Sequence, residues 1–446
     1  MHQSKFIILL FFLFSSTKFL AQEAWTLDDC VAFALVHNLG LKDFQYGMDS
    51  NQETYRQSVR DLLPSVSGSS DYIINYGRTT DPNTNDIVNS DFFSNSYSLN
   101  ASLDIFQGFQ KINSIRASKY LYKAAMEDVQ QQKFLLAFRV MSAYYDIKFF
   151  EGLVANSTEQ VKISQSNYDL VKRQIELGLK AGADLYEAEA ALLGDKLLLT
   201  QNTNLLDAAK LTLIQEMNLE NVDDIVLLDD MAMQAEKIEE RSVDSVYSQA
   251  KEFVPLLKAQ EFRKRAAKKQ LAVARGLLAP SLSIFSGYGT GYYETNVDSL
   301  GVLIPFKNQI KDNAARYIGA SINIPISNRW SGRSRVKQQK IALERAKNAV
   351  EIQKQELLKL IQQLVQEHDA LTTEVEQSSK KMESQQLAFT IAQKRYEKGL
   401  INALELFQAK NLFGTAQNEN LQVRLRLRIN EKTLDFYSGL PVFNIN

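Results

Sequence analysis

The chain has 446 residues, 45% of them hydrophobic, and its 51 lysines and arginines against 52 aspartates and glutamates leave a formal net charge of −1. A balance so near neutral gives no general attraction to nucleic acid or any other polyanion. Cys30 is the single cysteine, which excludes an internal disulfide, so packing alone must hold the fold together.

Residues 1–21 read as a secretory signal peptide. Lys5 gives a positive start, Phe6 to Phe14 is an unbroken apolar run, and Ser15 to Ala21 is an exit rich in small residues. About nine apolar residues are too few for a membrane-spanning helix, which takes about 20. Cleavage is expected before Gln22; it removes Lys5 and Lys18 and takes the formal charge to −3. Cys30, within Thr26-Leu-Asp-Asp-Cys30, has the wrong neighbours for a lipid anchor. No later stretch approaches 18 consecutive apolar residues, so entry into a membrane would have to be made by strands.

The remainder is written twice. Arg60-Asp-Leu-Leu-Pro64 returns as Arg275-Gly-Leu-Leu-Ala-Pro280, and the run from Glu176 to Ala188 returns without a gap as Glu397 to Ala409. The offset drifts from 215 to 221 residues, which predicts a first repeat over 22–218, a connection over 219–242, a second repeat over 243–440 and a tail over 441–446. Each repeat opens with a short amphipathic helix, Leu27 to His37 or Val243 to Glu252, interrupted at Gly40 or Pro255. A second helix of about 22 residues then runs to Leu63 or Leu278, where Pro64 or Pro280 ends it.

The period then changes from helical to alternating. From Tyr97 to Ile105 the apolar side chains fall on one face, and Ser98, Asn100, Ser102 and Asp104 on the other; Ile318 to Ile324 repeats the pattern with Ser321 and Asn323. Partner strands over Ser65 to Gly77 and Ser281 to Tyr293 complete hairpins at about 65–106 and 281–326, with polar loops over about 78–94 and 294–315. Strands of about ten residues match the length that crosses a bilayer at a tilt. Tyr72, Tyr76, Tyr97, Tyr288, Tyr292 and Tyr317 lie near strand ends, where interfacial aromatic girdles sit. A water-soluble four-stranded sheet packed on helices is the other reading of the same pattern.

Two proline-free helical stretches follow, about 111–177 and 332–398, each about 100 Å long at about 1.5 Å per residue. In the second, Val336, Leu343, Val350, Leu357, Leu364 and Leu371 recur every seven residues, as in a coiled-coil seam. Each stretch turns at Gly178 or Gly399 and comes back as a helix, 184–218 or 403–437, which makes a rod of antiparallel helices.

Four amphipathic strands cannot close a barrel, because the smallest bacterial ones have about eight, and open edges are not tolerated in lipid. Copies of the chain must therefore share one. The doubled helix, hairpin and long-helix plan, with Lys394-Arg-Tyr396-Glu-Lys-Gly399 followed by Leu404-Glu405-Leu406 and Ala409, resembles the TolC-like outer-membrane efflux and secretion channel proteins, across residues 24–440. The resemblance implies a mainly α fold with a four-stranded β contribution. In it, a homotrimer shares a transmembrane β-barrel in outer-membrane lipid that continues into a long α-helical barrel. It implies a passive exit duct for tripartite efflux or type I secretion, served by a periplasmic adaptor and energised by an inner-membrane pump.

Carried over residue by residue, Asp184 and Glu405 fall at acidic positions of the periplasmic tip, Tyr396 on a tyrosine that holds the mouth shut, and Gln408 where a second acid lies. Ile401 stands where an arginine completes the closing network. Gly178, Leu179, Gly399 and Leu400 form the tip turns where an adaptor docks, and Ser98, Asn100, Ser102, Asp104, Ser321 and Asn323 face the barrel lumen. The segments around Asp184 and Glu405 also resemble ordinary helix starts, where early acids favour the helix dipole. A helical adaptor or scaffold without a pore is the alternative function.

No catalytic or metal-binding constellation is found. His37 and His368 lie far apart without ligand-spaced companions, His2 belongs to the leader, and Gly287-Tyr-Gly289-Thr-Gly291 alternates inside a strand rather than cradling a phosphate. No enzyme activity and no cofactor are expected.

Overall fold

The computed structural model describes residues 24–81, 85–89, 91–220, 222, 224–228 and 242–443. The leader lies outside them, as does much of the 219–242 connection. Two compact units form, one from residues 46–128 and 256–353 and the other from the rest.

The elements follow the repeat plan. α1 (Leu27–His37) and α2 (Leu39–Arg60) precede β1 (Ser65–Asn75), β2 (Arg78–Thr80), β3 (Ile87–Asn89) and β4 (Phe92–Gln107). The long α3 (Gln110–Glu176) reverses into α4 (Gly182–Met217). The second repeat supplies α5 (Val243–Phe253), α6 (Pro255–Gly276), β5 (Ser281–Tyr293), α7 (Phe306–Asp312), β6 (Ala315–Asn323), the long α8 (Ser331–Glu397) and α9 (Ala403–Tyr437). Both long helices have 67 residues.

Local chemistry sets the boundaries. Thr26 and Asp29 form a reciprocal capping box at the start of α1. Asn38 ends that helix, and its Oδ1 accepts from Leu41 N at 3.0 Å to begin the next. Pro255 occupies the first position of α6, where its missing N–H leaves no bond unmade.

In the unit that holds the helix reversals, Leu136, Val140, Tyr144 and Ile147 bury one face of α3, and Leu213, Met217 and Leu434 are buried as well. Tyr144 Oη donates to the Leu228 carbonyl at 2.6 Å, which lets a phenol be fully buried without an unmade bond. Cys30 is wholly buried, and burial pushes its thiol up to about 12. Further along α3 the buried positions turn polar: Ser157, Gln160, Ser164 and Asn167 recur at spacings of three and four. Lys410 of α9, 2% exposed, reaches Ser164 Oγ at 2.7 Å and forms an ion pair with Asp195 of α4, so one buried cation joins three helices.

In the other unit the strands form one antiparallel sheet in the order β1-β4-β5-β6, leaving β1 and β6 as edges. The register sets Ser65, Ser67 and Ser69 opposite Ser102, Asn100 and Ser98, so the polar side chains share a face. The opposite face carries Val66, Tyr72, Leu99, Ile318 and Ile322, each more than half exposed. A register shift between Asp104 and Phe106 turns the end of β4.

Two expectations are corrected here. The stretches read as polar loops hold ordered structure: β2 pairs with β3, and α7 is fastened because the Gln309 amide accepts from Tyr293 N at 3.0 Å and donates to Ile304 O at 2.8 Å. Tyr317 does not join the other tyrosines. It lies on the polar face over Gly287, where an added Cβ would fall 2.4 Å from its ring, and its Oη donates to Asn100 Oδ1 at 3.2 Å. An aromatic ring covering a glycine on a neighbouring strand fills the gap left by the missing side chain.

The buried ion pair yields a stability prediction. Lys410→Met should leave Asp195 buried and unpaired, destabilising by about 3–5 kcal/mol, whereas adding Asp195→Leu should recover most of the loss. Urea midpoints of the two variants check this; a double variant no more stable than Lys410→Met would contradict it.

Candidate functional site

Both long helices end in the same hydrogen-bonded turn. At the first, Gly178 has φ +73°, its N–H donates to Ile175 O at 2.8 Å, and Leu179 N donates to Gln174 O at 2.8 Å. At the second, Gly399 has φ +69°, its N–H donates to Tyr396 O, and Leu400 N donates to Arg395 O, both at 2.9 Å. This pair of bonds closes the last carbonyls of each helix and needs a left-handed residue, which glycine adopts without a Cβ penalty. Leu179 and Leu400 project from the turns, 70% and 63% exposed among the described residues.

The returning helices begin differently. Asn402 caps α9, its Oδ1 accepting from Glu405 N at 2.9 Å, whereas Ala181 offers α4 no side-chain cap. Asp184 and Glu405 both sit in the first helical turn, so the helix-start geometry anticipated for these acids is present. Glu405 and Gln408 are exposed and Asp184 is partly covered. Neither acid has an ion-pair partner among the described residues.

Tyr396 is buried in an apolar cluster with Phe389, Ala403 and Leu406, against which Ile401 packs. Its Oη accepts from Lys180 Nζ at 3.1 Å, and the ammonium also lies 4.8 Å from the ring centroid. The first turn thus supplies a cation to a tyrosine from the second. Sequence reasoning missed Lys180, because it sought a cation at the position of Ile401, which is part of the apolar packing instead. A lone lysine two residues past a turn glycine carries no signal of its own.

The six residues read as lumen-facing share one face of the sheet. Ser98 and Ser69 hydroxyls meet at 2.8 Å, as do Ser102 and Ser65, and Asn100 Nδ2 donates to Ser98 Oγ at 3.1 Å. Ser321 aligns through Ser283 with Asp104, and Asn323 lies two residues further along the same strand face. Asp104 pairs with Lys111 of α3 at 3.0 Å. On the apolar face, Tyr72, Phe93, Tyr97 and Tyr292 gather at the loop end with ring centroids about 6 Å apart, and the Tyr72 and Tyr97 hydroxyls meet at 2.8 Å. Among the described residues no helix is long and apolar enough to cross a membrane, and no three histidine, cysteine or carboxylate side chains gather as metal ligands would.

Comparison with known proteins extends these observations. The family model for outer membrane efflux proteins matches residues 32–219 and 246–440. Protein CyaE of Bordetella pertussis is 23% identical over 208 residues, 46% of this chain and 41% of its own. The probable efflux pump outer membrane protein TtgC of Pseudomonas putida is 22% identical over 284 residues, 60% of this chain and 56% of its own. The chain thus spans about half the length of these curated relatives. The crystal structure of the Campylobacter jejuni CmeC outer membrane channel superposes with a TM-score of 0.79 at 16% identity, over 93% of this chain and 85% of that one. With a family model that matches both halves of the duplication, the chain belongs to the outer membrane efflux protein family.

Proposed function

We propose that the protein is one subunit of a passive outer-membrane duct, a homotrimer whose four strands per chain close a shared barrel and whose helices line a periplasmic passage. The observation that carries this reading is the sheet. One face is apolar and exposed, the other bears serines, asparagines and Asp104, and among the described residues both edges lack a partner strand. In water such a face is a liability; in lipid it is what a barrel strand requires, with the polar face turned to an aqueous lumen.

The two helix reversals are the passage's periplasmic mouth. Tyr396 and Lys180 hold the two hairpins of one chain together there, Asp184 and Glu405 give the rim negative charge, and Gln408 adds a neutral polar group. Leu179 and Leu400 are the apolar knobs that dock a periplasmic adaptor, which couples the duct to an inner-membrane pump. TtgC, described as a probable efflux pump outer membrane protein, supports an export role by family likeness.

The latch predicts that Lys180→Ala and Tyr396→Phe each raise the resting single-channel conductance in planar bilayers; conductance equal to the parent's in both would remove it. The rim charge predicts that Asp184→Ala with Glu405→Ala weakens block by divalent and trivalent cations applied from the periplasmic side. Block constants unchanged in the double variant would place the controlling charge elsewhere.

A further inference from the structure

Both repeats leave the sheet through the same unusual turn. Gly108 and Phe109 have φ of 57° and 61° before α3, and Arg329 and Trp330 have φ of 54° and 63° before α8. Two consecutive left-handed residues, three of the four not glycine, are costly. Each turn places an aromatic side chain outward, Phe109 at 64% and Trp330 at 67% exposure, 221 residues apart as in the duplication.

From each aromatic residue a stripe runs down the helix at spacings of three, four and three: Phe109, Ile112, Arg116 and Lys119, and Trp330, Arg333, Lys337 and Lys340. All eight side chains are exposed. The Arg333 guanidinium lies 4.3 Å from the Trp330 ring centroid, which orients both groups. From Asn313 to Leu343 the sequence contains no aspartate or glutamate, and Arg329, Arg333, Arg335, Lys337 and Lys340 form no ion pair among the described residues. The near-neutral total charge conceals this local excess. Just before the turn, Ile324 and Ile326 are 62% and 94% exposed.

We propose that these two turns form a collar that binds the anionic phospholipid headgroups of the membrane's periplasmic leaflet, with Trp330 and Arg333 as the principal contact. The proposal rests on the outer-membrane reading of the sheet, which puts the strand ends at that leaflet. Apolar Ile324 and Ile326 then meet acyl chains, and the aromatic ring sits at the level where tryptophan is favoured. Lys337 lies about 10 Å further along the helix axis, at the depth of the headgroup layer and its diffuse charge. Exposed arginines without carboxylate partners are poor groups to pack against a protein neighbour but match phosphate in geometry and charge. The first repeat, with isoleucine in place of Arg333, is the weaker half of the collar.

The chain's two tryptophans make the test direct. A Trp25→Phe form leaves Trp330 as the sole emitter and is reconstituted in vesicles containing lipids brominated at graded acyl depths, with channel conductance recorded in parallel. Strongest quenching by bromine nearest the headgroups is expected. In the full-length channel, Arg333→Gln, Lys337→Gln and Lys340→Gln should lower co-purified phosphatidylglycerol relative to phosphatidylethanolamine on the order of fivefold per charge removed. Conducting channels whose Trp330 is quenched by aqueous iodide and not by brominated lipid would overturn the collar alone. So would a triple variant that conducts and retains the parent's share of anionic lipid. A parent that forms no channels would overturn the outer-membrane reading and the collar with it.

Discussion

The backbone along the two outer strands of the sheet is the constraint that governs the rest of the structure. β1 has 11 residues and β6 has 9, and among the described residues each offers one side of its N–H and C=O groups to no other strand. In hydrocarbon each such group left without a partner costs several kcal/mol, more than any set of side-chain contacts on the sheet repays. A chain with two hairpins therefore cannot enter the membrane alone. In the proposed duct, joining β1 of one copy to β6 of the next would satisfy both edges, so that backbone hydrogen bonding alone would call for an oligomer before any helix is considered.

The duplication makes such closure regular. The four strands of one chain join through β4 and β5, one from each repeat, so the repeats are already neighbours in the sheet. The same doubling gives two strand-to-helix turns, two 67-residue helices and two glycine reversals. Where the copies have diverged, they differ in chemistry more than in path. The Asn402 side chain caps one returning helix and Ala181 offers the other no side-chain cap, and Lys180 supplies a cation to Tyr396 across the pair. The buried Lys410 group ties α3, α4 and α9 together about two turns from the start of α9, and nearer the tip Lys180 joins Tyr396 by a hydrogen bond and a ring contact while Ile163 of α3 packs against the apolar cluster around Tyr396.

Much of this was legible in the residues because it is local. Strand alternation from Tyr97, prolines 64, 255 and 280, and glycines 178 and 399 mark boundaries through sterics and period, and the elements begin and end within a few residues of those marks. What escaped was decided by distant partners. Tyr317 looks like a girdle tyrosine by position, yet Gly287 on the adjacent strand offers it a place on the polar face. Gln309 is an unremarkable residue until its amide bonds to the ends of a loop, and the loops were read as irregular for that reason. Lys180 gains meaning only from Tyr396, 216 residues away, and the pair of left-handed residues at Arg329 and Trp330 has no propensity signature at all.

The claim that strands are shared between copies is tested most directly by cysteines placed at the two sheet edges, Ser67→Cys in β1 and Ser321→Cys in β6, in intact outer membranes. The native Cys30 is buried with its thiol pushed up to about 12, so it stays out of the reaction. Mild oxidation should convert the doubly substituted protein into a covalent trimer, with each single variant remaining monomeric on denaturing gels. A doubly substituted chain that stays monomeric, or that closes β1 onto its own β6, would contradict the account.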